Sequence, residues 1–356
     1  MRNAIVVVVA VLTLGVGAAP AATPKRANLG QIARSFVKDG VPGAIVYART
    51  PTGARAGVAG YADRAAHVSM RAADRYRIAS VTKAFVSVLI LQLEAEGKLD
   101  IDDSVAKYLP GVVPNGGAIT LRELMSHTSG LFNYTDDDAF VKDPVTNFSR
   151  SWTPQELLAL AFAHPPNFAP GTNYSYSNTN YIVLGLVVEA LTGKPLGQVL
   201  QERIFTPLGL TSTSFPLTIE VAPDFVHGYV KLEGTPLIDI TPGLNPTWGW
   251  AAGGIVSNAR DVTAFYRALF TRKLLPAAQL TEMEAPTANS GTYALGIVNA
   301  VTTCGRAFFH EGDALGWQNI AASTANGKRQ AVVTVNVNYE NNDRLVAAAQ
   351  TALCRG

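Results

Sequence analysis

The chain has 356 residues, 48% hydrophobic and 16% charged, enough apolar material for a substantial core, which excludes a disordered chain. Its 29 basic and 27 acidic residues leave a formal net charge of +2, with no Lys/Arg block, so a nucleic-acid surface has no support. The opening reads as an export signal: Arg2 gives a basic start, residues 5–16 an apolar run, and Ala19-Pro20-Ala21 a cleavage site. That run is shorter than the roughly 20 residues a membrane span needs, and no later stretch is long enough. The expected product is secreted or periplasmic, starts after residue 21, and keeps no membrane span.

In chain order, residues 29–37 have helical apolar spacing, and 43–49 with 54–61 read as a hairpin turned at Thr50-Pro-Thr-Gly53. Residues 82–95 form the clearest helix, with Phe85, Val86, Leu89 and Leu93 on one stripe and Gly97 as its stop. Capping boxes at Thr120-Leu-Arg-Glu123 and Thr153-Pro-Gln-Glu156 open two more helices, the second with Pro154 at its first position. Residues 180–191, closed by Gly193, and 259–270 are further helices, whereas 215–250 is rich in Pro, Gly and Thr and reads as irregular. Four strands follow at 293–298, 307–310, 318–323 and 330–337, then a terminal helix at 343–353. Strands at both ends with helices between predict an α+β fold. Its antiparallel sheet is formed by both chain ends and flanked by helices, with a mainly helical insert over about 110–270. Cys304 and Cys354 are the only cysteines. Export allows them to pair, pinning the C-terminus to a hairpin for about 3–4 kcal/mol, or they remain two free thiols.

Ser80-Val-Thr-Lys83 opens the clearest helix, so a hydroxyl and an amine emerge on one face, where first-turn N–H groups favour negative charge. Tyr176-Ser177-Asn178 precedes another helix, and His310-Glu311-Gly312 ends a predicted strand. Acyl transfer needs an activated hydroxyl, a proton shuttle and donors for the tetrahedral oxyanion. Ser80, Lys83 and Tyr176 supply the first two. An ammonium at Lys83 is expected to lower the Tyr176 pKa and so stabilise a phenolate base. Asn178 is placed to bond a substrate amide. His67, His164 and His227 stand apart without metal-ligand spacing, and neither a phosphate nor a dinucleotide fingerprint is present, so no metal or cofactor is expected.

These motifs resemble the serine β-lactamase-like family, which includes class C β-lactamases, D-alanyl-D-alanine carboxypeptidases and related esterases and D-aminopeptidases. S-x-x-K at Ser80, Y-x-N at Tyr176 and H-x-G at His310 occur in family order. Arg77-Ile-Ala-Ser80, Leu124-Met-Ser-His-Thr-Ser-Gly-Leu131, Pro207-Leu-Gly-Leu210 and Ala251-Ala-Gly-Gly-Ile-Val-Ser257 match as well. The likeness runs from about residue 28 to the end and agrees with the predicted fold. It implies acylation of Ser80, proton transfer by Lys83 and Tyr176, and an oxyanion hole from the backbone N–H groups of Ser80 and Asp313. It also implies that His310 orients the Tyr176 region. In relatives an aromatic in the Trp248-Gly249-Trp250 stretch lines the cleft, which makes Trp250 a candidate with a core or surface role as the alternative, and His127 resembles a family landmark with a structural hydrogen-bonding role.

The chain departs from the family where a substrate carboxylate is usually held. Relatives continue the third motif with Thr, Ser or Gly, whereas this chain reads His310-Glu311-Gly312-Asp313, and Asp136-Asp137-Asp138 borders the pocket. Acids facing the subsite would repel a carboxylate and favour neutral or cationic substrates. Alternatively, Glu311 and Asp313 point together to solvent, since alternate strand residues share a face. The resulting expectation is an exported serine hydrolase acting on esters, amides or D-amino-acid peptides, with a small molecule or peptide as its partner. The alternatives are a D-alanyl-D-alanine carboxypeptidase or class C-like β-lactamase, and a non-catalytic penicillin-binding sensor.

Overall fold

Apolar runs from both ends of the chain meet in one seven-stranded antiparallel sheet in the computed structural model, which describes residues 26–142, 148–232, 234–338 and 341–356. The expected export signal lies outside the described residues. The strands are β1 (Gly43–Thr50), β2 (Gly53–Asp63), β3 (Val68–Ser69), β4 (Val298–Thr302), β5 (Gly305–Ala314), β6 (Trp317–Thr324) and β7 (Gln330–Val335), in the order β3-β2-β1-β7-β6-β5-β4. The two ends join where β1 pairs with β7, Val46 opposite Val333. Every residue of β7 is buried, because helices cover both faces of the sheet centre; such a strand reads as a continuous apolar run.

Five longer helices are α1 (Leu29–Lys38), α2 (Thr82–Ala95), α3 (Asn178–Thr192), α4 (Ala259–Phe270) and α5 (Asn342–Arg355). On one sheet face α1 and α5 enclose a core of Leu29, Phe36, Val46, Ile320, Val333 and Leu345. On the other lies a larger core around α2, where Phe85 stacks on Phe265 of α4 at 3.6 Å between ring centroids. The expected single stripe on α2 proves too narrow. Val88, Ile90 and Leu91 are buried as well, so the helix runs through the core enclosed on all sides. Both capping boxes form as expected, Thr120 with Glu123 and Thr153 with Glu156. Among the described residues no single helix is long and apolar enough to cross a membrane.

Two expected elements shift. The helix expected from residue 180 begins at Asn178, and Gly193 ends it in the left-handed conformation, φ +66°. The strand expected at 293–298 is instead β4, Val298–Thr302. The chain turns first at Gly296, φ +83°, where a Cβ would come within 2.2 Å of Ser87 Oγ. That turn takes Tyr293 out of the ladder and buries it in the helical side of the molecule.

Cys304, at the turn between β4 and β5, is disulfide-bonded to Cys354 in the last turn of α5, 50 residues away. The bridge ties the C-terminal helix to the sheet edge. Replacing Cys304 by Ser is expected to remove about 3–4 kcal/mol of stability by the loop-closure argument. Thermal unfolding of this variant, and of the parent with and without reductant, measures the loss.

Candidate active site

Ser80 sits in a tight 3₁₀ turn, Ala79–Val81, that leads directly into α2. Ala79 holds φ +48°, a left-handed backbone that strains a residue with a Cβ, and this bend leaves Ser80 half-buried and reachable. Across from it β5 passes so near that a Cβ on Gly312 would come within 2.2 Å of the Ile78 carbonyl oxygen. Only glycine admits that approach, which brings the main chain of Asp313 to the edge of the cavity at Ser80.

Lys83 lies one turn further along α2, fully buried. Its Nζ meets Ser80 Oγ at 2.9 Å, Asn178 Oδ1 at 2.7 Å and the Ala252 carbonyl at 2.8 Å. The amide oxygen and the carbonyl only accept. A neutral amine therefore satisfies all three contacts, donating to two and taking the Ser80 hydroxyl hydrogen on its lone pair. Burial favours that form, pushing Lys83 well below its usual 10.5. The ring faces of Tyr176 and Tyr181, 4.9 and 5.4 Å from Nζ, act in the opposite sense by favouring the cation. An uncharged amine against a serine hydroxyl can take its proton as the oxygen attacks a carbonyl.

Asn178 is held from three sides. Its backbone N–H donates to Asn133 Oδ1 at 2.9 Å, its Nδ2 to Thr135 Oγ1 at 3.2 Å, and its Oδ1 takes the Lys83 hydrogen. Tyr176 keeps an edge open to solvent but is densely surrounded. Burial raises its phenol, and hydrogen bonding with Ser80 offsets only part of this. This corrects the expected phenolate. Burial outweighs what would stabilise a phenolate, and Tyr176 stands as a proton donor.

His310 does not touch Tyr176 through a hydrogen bond. Its Nδ1–H donates to the Glu311 carbonyl, and its Nε2 accepts from the Tyr293 hydroxyl at 2.9 Å. Burial, with Lys83 nearby, pushes its pKa down to about 3, so it is neutral. Tyr293 then packs edge-on to Tyr176, ring centroids 6.2 Å apart. The expected orienting role of His310 therefore runs through Tyr293. The sequence reading missed Tyr293 because alternating Tyr293, Leu295 and Ile297 mimic a strand.

Three expectations about the pocket are corrected. Glu311 Oε2 accepts from Asn342 Nδ2 at the start of α5, on the sheet face opposite His310 and Gly312. The Asp313 carboxylate shares that face and accepts from its cross-strand neighbour Gln318 at 2.9 Å. Glu311 is thus turned from the subsite, whereas Asp313 still borders the cavity at Ser80. Trp250 packs into the core against Gly185 of α3, where a Cβ would come within 2.6 Å of its ring. Trp248 borders the cavity instead, its carbonyl accepting from Tyr134 OH at 2.6 Å. In the Asp136–Asp138 run, Asp136 bonds Asn133, and Asp137 bonds His164.

The cavity at Ser80 is small, about 30 Å³, bordered by Tyr134, Asn178, Trp248, Gly249, Ala252, Gly253, Asp313 and Ala314. Among the described residues no Arg or Lys lines it. A larger hollow of about 550 Å³ lies on the other sheet face against α5, away from this chemistry. Among the described residues no group of three or more His, Cys, Asp or Glu is placed to hold a metal ion.

A family model described as Beta-lactamase matches residues 29–354. Among solved structures, the chain is similar to a D-stereospecific amidohydrolase from Streptomyces sp., 36% identical, TM-score 0.82, covering 92% of this chain and 98% of that one. It is also similar to a D-amino acid amidase from Ochrobactrum anthropi SV3 complexed with L-phenylalanine amide, 27% identical, TM-score 0.80, covering 91% and 96%. A penicillin binding protein from Bacillus halodurans, 24% identical with TM-score 0.77 over 88% and 98% of the two chains, shares the fold. With its serine and lysine joined at the mouth of a helix beside a sheet edge, the chain belongs to the Beta-lactamase family and is a serine hydrolase of that fold.

Proposed function

We propose that the protein is an exported amidohydrolase that forms an acyl-enzyme on Ser80 and prefers amides, esters or peptides of D-amino acids without a carboxylate at the leaving group. The observation that carries this reading is the buried Lys83 amine in contact with Ser80 Oγ at 2.9 Å, its pKa depressed by burial. The Ser80 proton passes to Lys83 Nζ as Oγ bonds the substrate carbonyl carbon. The backbone N–H groups of Ser80 and Asp313 take the oxyanion. As the C–N bond breaks, the Tyr176 phenol protonates the leaving amine and is recharged from Lys83. Water then attacks the ester carbonyl, losing its proton to the same pair, and Ser80 leaves with a proton restored.

The substrate preference has a different basis from the acids first suspected. The border of the cavity carries no cation, and Lys83 already has its three partners, so a terminal carboxylate has no anchor there. The similarity to a D-stereospecific amidohydrolase and a D-amino acid amidase supports the same choice. Export is supported by the Arg2 to Ala21 signal pattern and by the Cys304–Cys354 bridge, which persists in oxidising compartments. N-terminal sequencing of protein recovered outside the cytoplasm tests it.

Two measurements test the chemistry. The first is the ratio of kcat/KM for D-Ala p-nitroanilide to that for an N-acyl-D-Ala-D-Ala peptide, with Ser80→Ala as blank. The anilide is expected to be preferred; preference for the peptide means a carboxypeptidase. The second is the pH–rate profile. Activity is expected to fall only on the acid side, as pH drops through the depressed Lys83 value, and to stay level through the ordinary tyrosine range near 10. A descending limb at pH 8–9 would point to a charged Lys83 beside a phenolate. Lys83→Arg, which stays protonated, is expected to lose about 1,000-fold in kcat.

A further inference from the structure

His127 makes contacts that neither the motifs nor the proposed chemistry account for. The segment from His127 to Gly130 runs beside residues 167–177 and takes up their N–H groups one after another. Asn167 N donates to the Gly130 carbonyl at 2.8 Å, Gly171 N to Thr128 at 2.8 Å, and Ser175 N to His127 at 3.0 Å. The next N–H on that side belongs to Ser177. The Met125 carbonyl, two residues back, already accepts from Tyr181 OH at 3.0 Å. The His127 side chain takes over: its Nδ1 accepts from Ser177 N at 3.1 Å. His127 thus holds the N–H groups on both sides of Tyr176, one with its carbonyl and one with its ring.

The imidazole also lies against the Tyr176 ring, centroids 4.2 Å apart, and against Tyr293 at 4.7 Å. Because Nδ1 accepts, the hydrogen is on Nε2, which is buried without a hydrogen-bond partner. His127 further holds φ +60°, a left-handed backbone unfavourable for a histidine. A buried polar atom without a partner and a strained backbone at one residue both reduce stability, and such features concentrate where geometry serves the site.

We infer that His127 is a positioning residue: its Nδ1 and carbonyl clamp the Tyr176-Ser177-Asn178 segment so that the Tyr176 hydroxyl meets the leaving group. It touches no substrate. The inference rests on Tyr176 acting as the proton donor, as proposed above.

The test uses leaving groups that differ in their need for a proton. An anilide nitrogen must be protonated to leave, whereas p-nitrophenolate leaves without help. Activities of His127→Leu, His127→Asn and Tyr176→Phe are measured on D-Ala p-nitroanilide and p-nitrophenyl acetate, with thermal unfolding of each. His127→Leu removes the ring acceptor and is expected to lose about 100-fold in kcat/KM on the anilide but less than about 5-fold on the ester. Asn supplies an amide oxygen near the Nδ1 position and tolerates the left-handed backbone. His127→Asn is therefore expected to stay within about 10-fold of the parent on both substrates. Equal losses on both substrates, no loss in His127→Leu, or a failed rescue in a folded His127→Asn would each overturn the inference. Should the Leu variant not fold, the Asn variant alone decides by the same limit. Tyr176→Phe separates the two readings. If it keeps the anilide activity, the proposed role of Tyr176 fails, and the clamp fails with it. If it loses that activity while His127→Leu keeps it, only the clamp fails.

Discussion

An amine taken out of water without a counter-ion governs the arrangement of this molecule. Lys83 is fully buried, and no carboxylate pairs with it through a salt bridge. Its three contacts come from chain segments far apart in sequence: Ser80 on the same turn, Asn178 at the head of α3 and Ala252 in the glycine-rich stretch before α4. Left as an ammonium at this depth it would oppose folding; uncharged, it ties the three segments around the serine. The groups beside it remain neutral too. The two buried histidines are pushed down by burial and by Lys83 itself, and the phenols are pushed up by burial.

Such a site needs rigid support, and the fold supplies it where the chain comes closest to itself. Gly312 lets β5 graze the turn before Ser80, so the sheet edge sets the position of the Asp313 main chain. Ala79 and His127 hold left-handed backbones on either side of the centre. Strain of this kind persists only when the surroundings outweigh it. Here the helical core around α2 and the sheet do so, with α5 fastened to the sheet edge by the disulfide.

What the site lacks also bears on its chemistry. Glu311 turns toward α5, Asp313 bonds Gln318 while bordering the cavity, and among the described residues no Arg or Lys lines that border. On its walls Trp248 and Tyr134 are joined by a hydrogen bond. The Asn178 side chain at the same border is held by Lys83 and Thr135.

Local rules decided much of this in advance. The spacing of Ser80 and Lys83 on one helical turn, the capping boxes, and the apolar runs at both ends that became one sheet are set by neighbours a few residues apart. They were legible in the sequence. Sequence also brought the three motifs forward in order. It could not say which way a strand residue faces, so both orientations of Glu311 and Asp313 stayed open until the sheet set Glu311 against Asn342 and left Asp313 at the cavity border. Nor could it separate Trp248 from Trp250, since a 3₁₀ turn and a packed helix start differ only in what they meet. Tyr293 read as a strand residue because its turn depends on Ser87 and Tyr181, more than a hundred residues earlier. The directions in which Lys83 and Tyr176 shift were out of the sequence's reach for the same reason. Protonation follows burial and partners, and those exist only when distant segments have packed together.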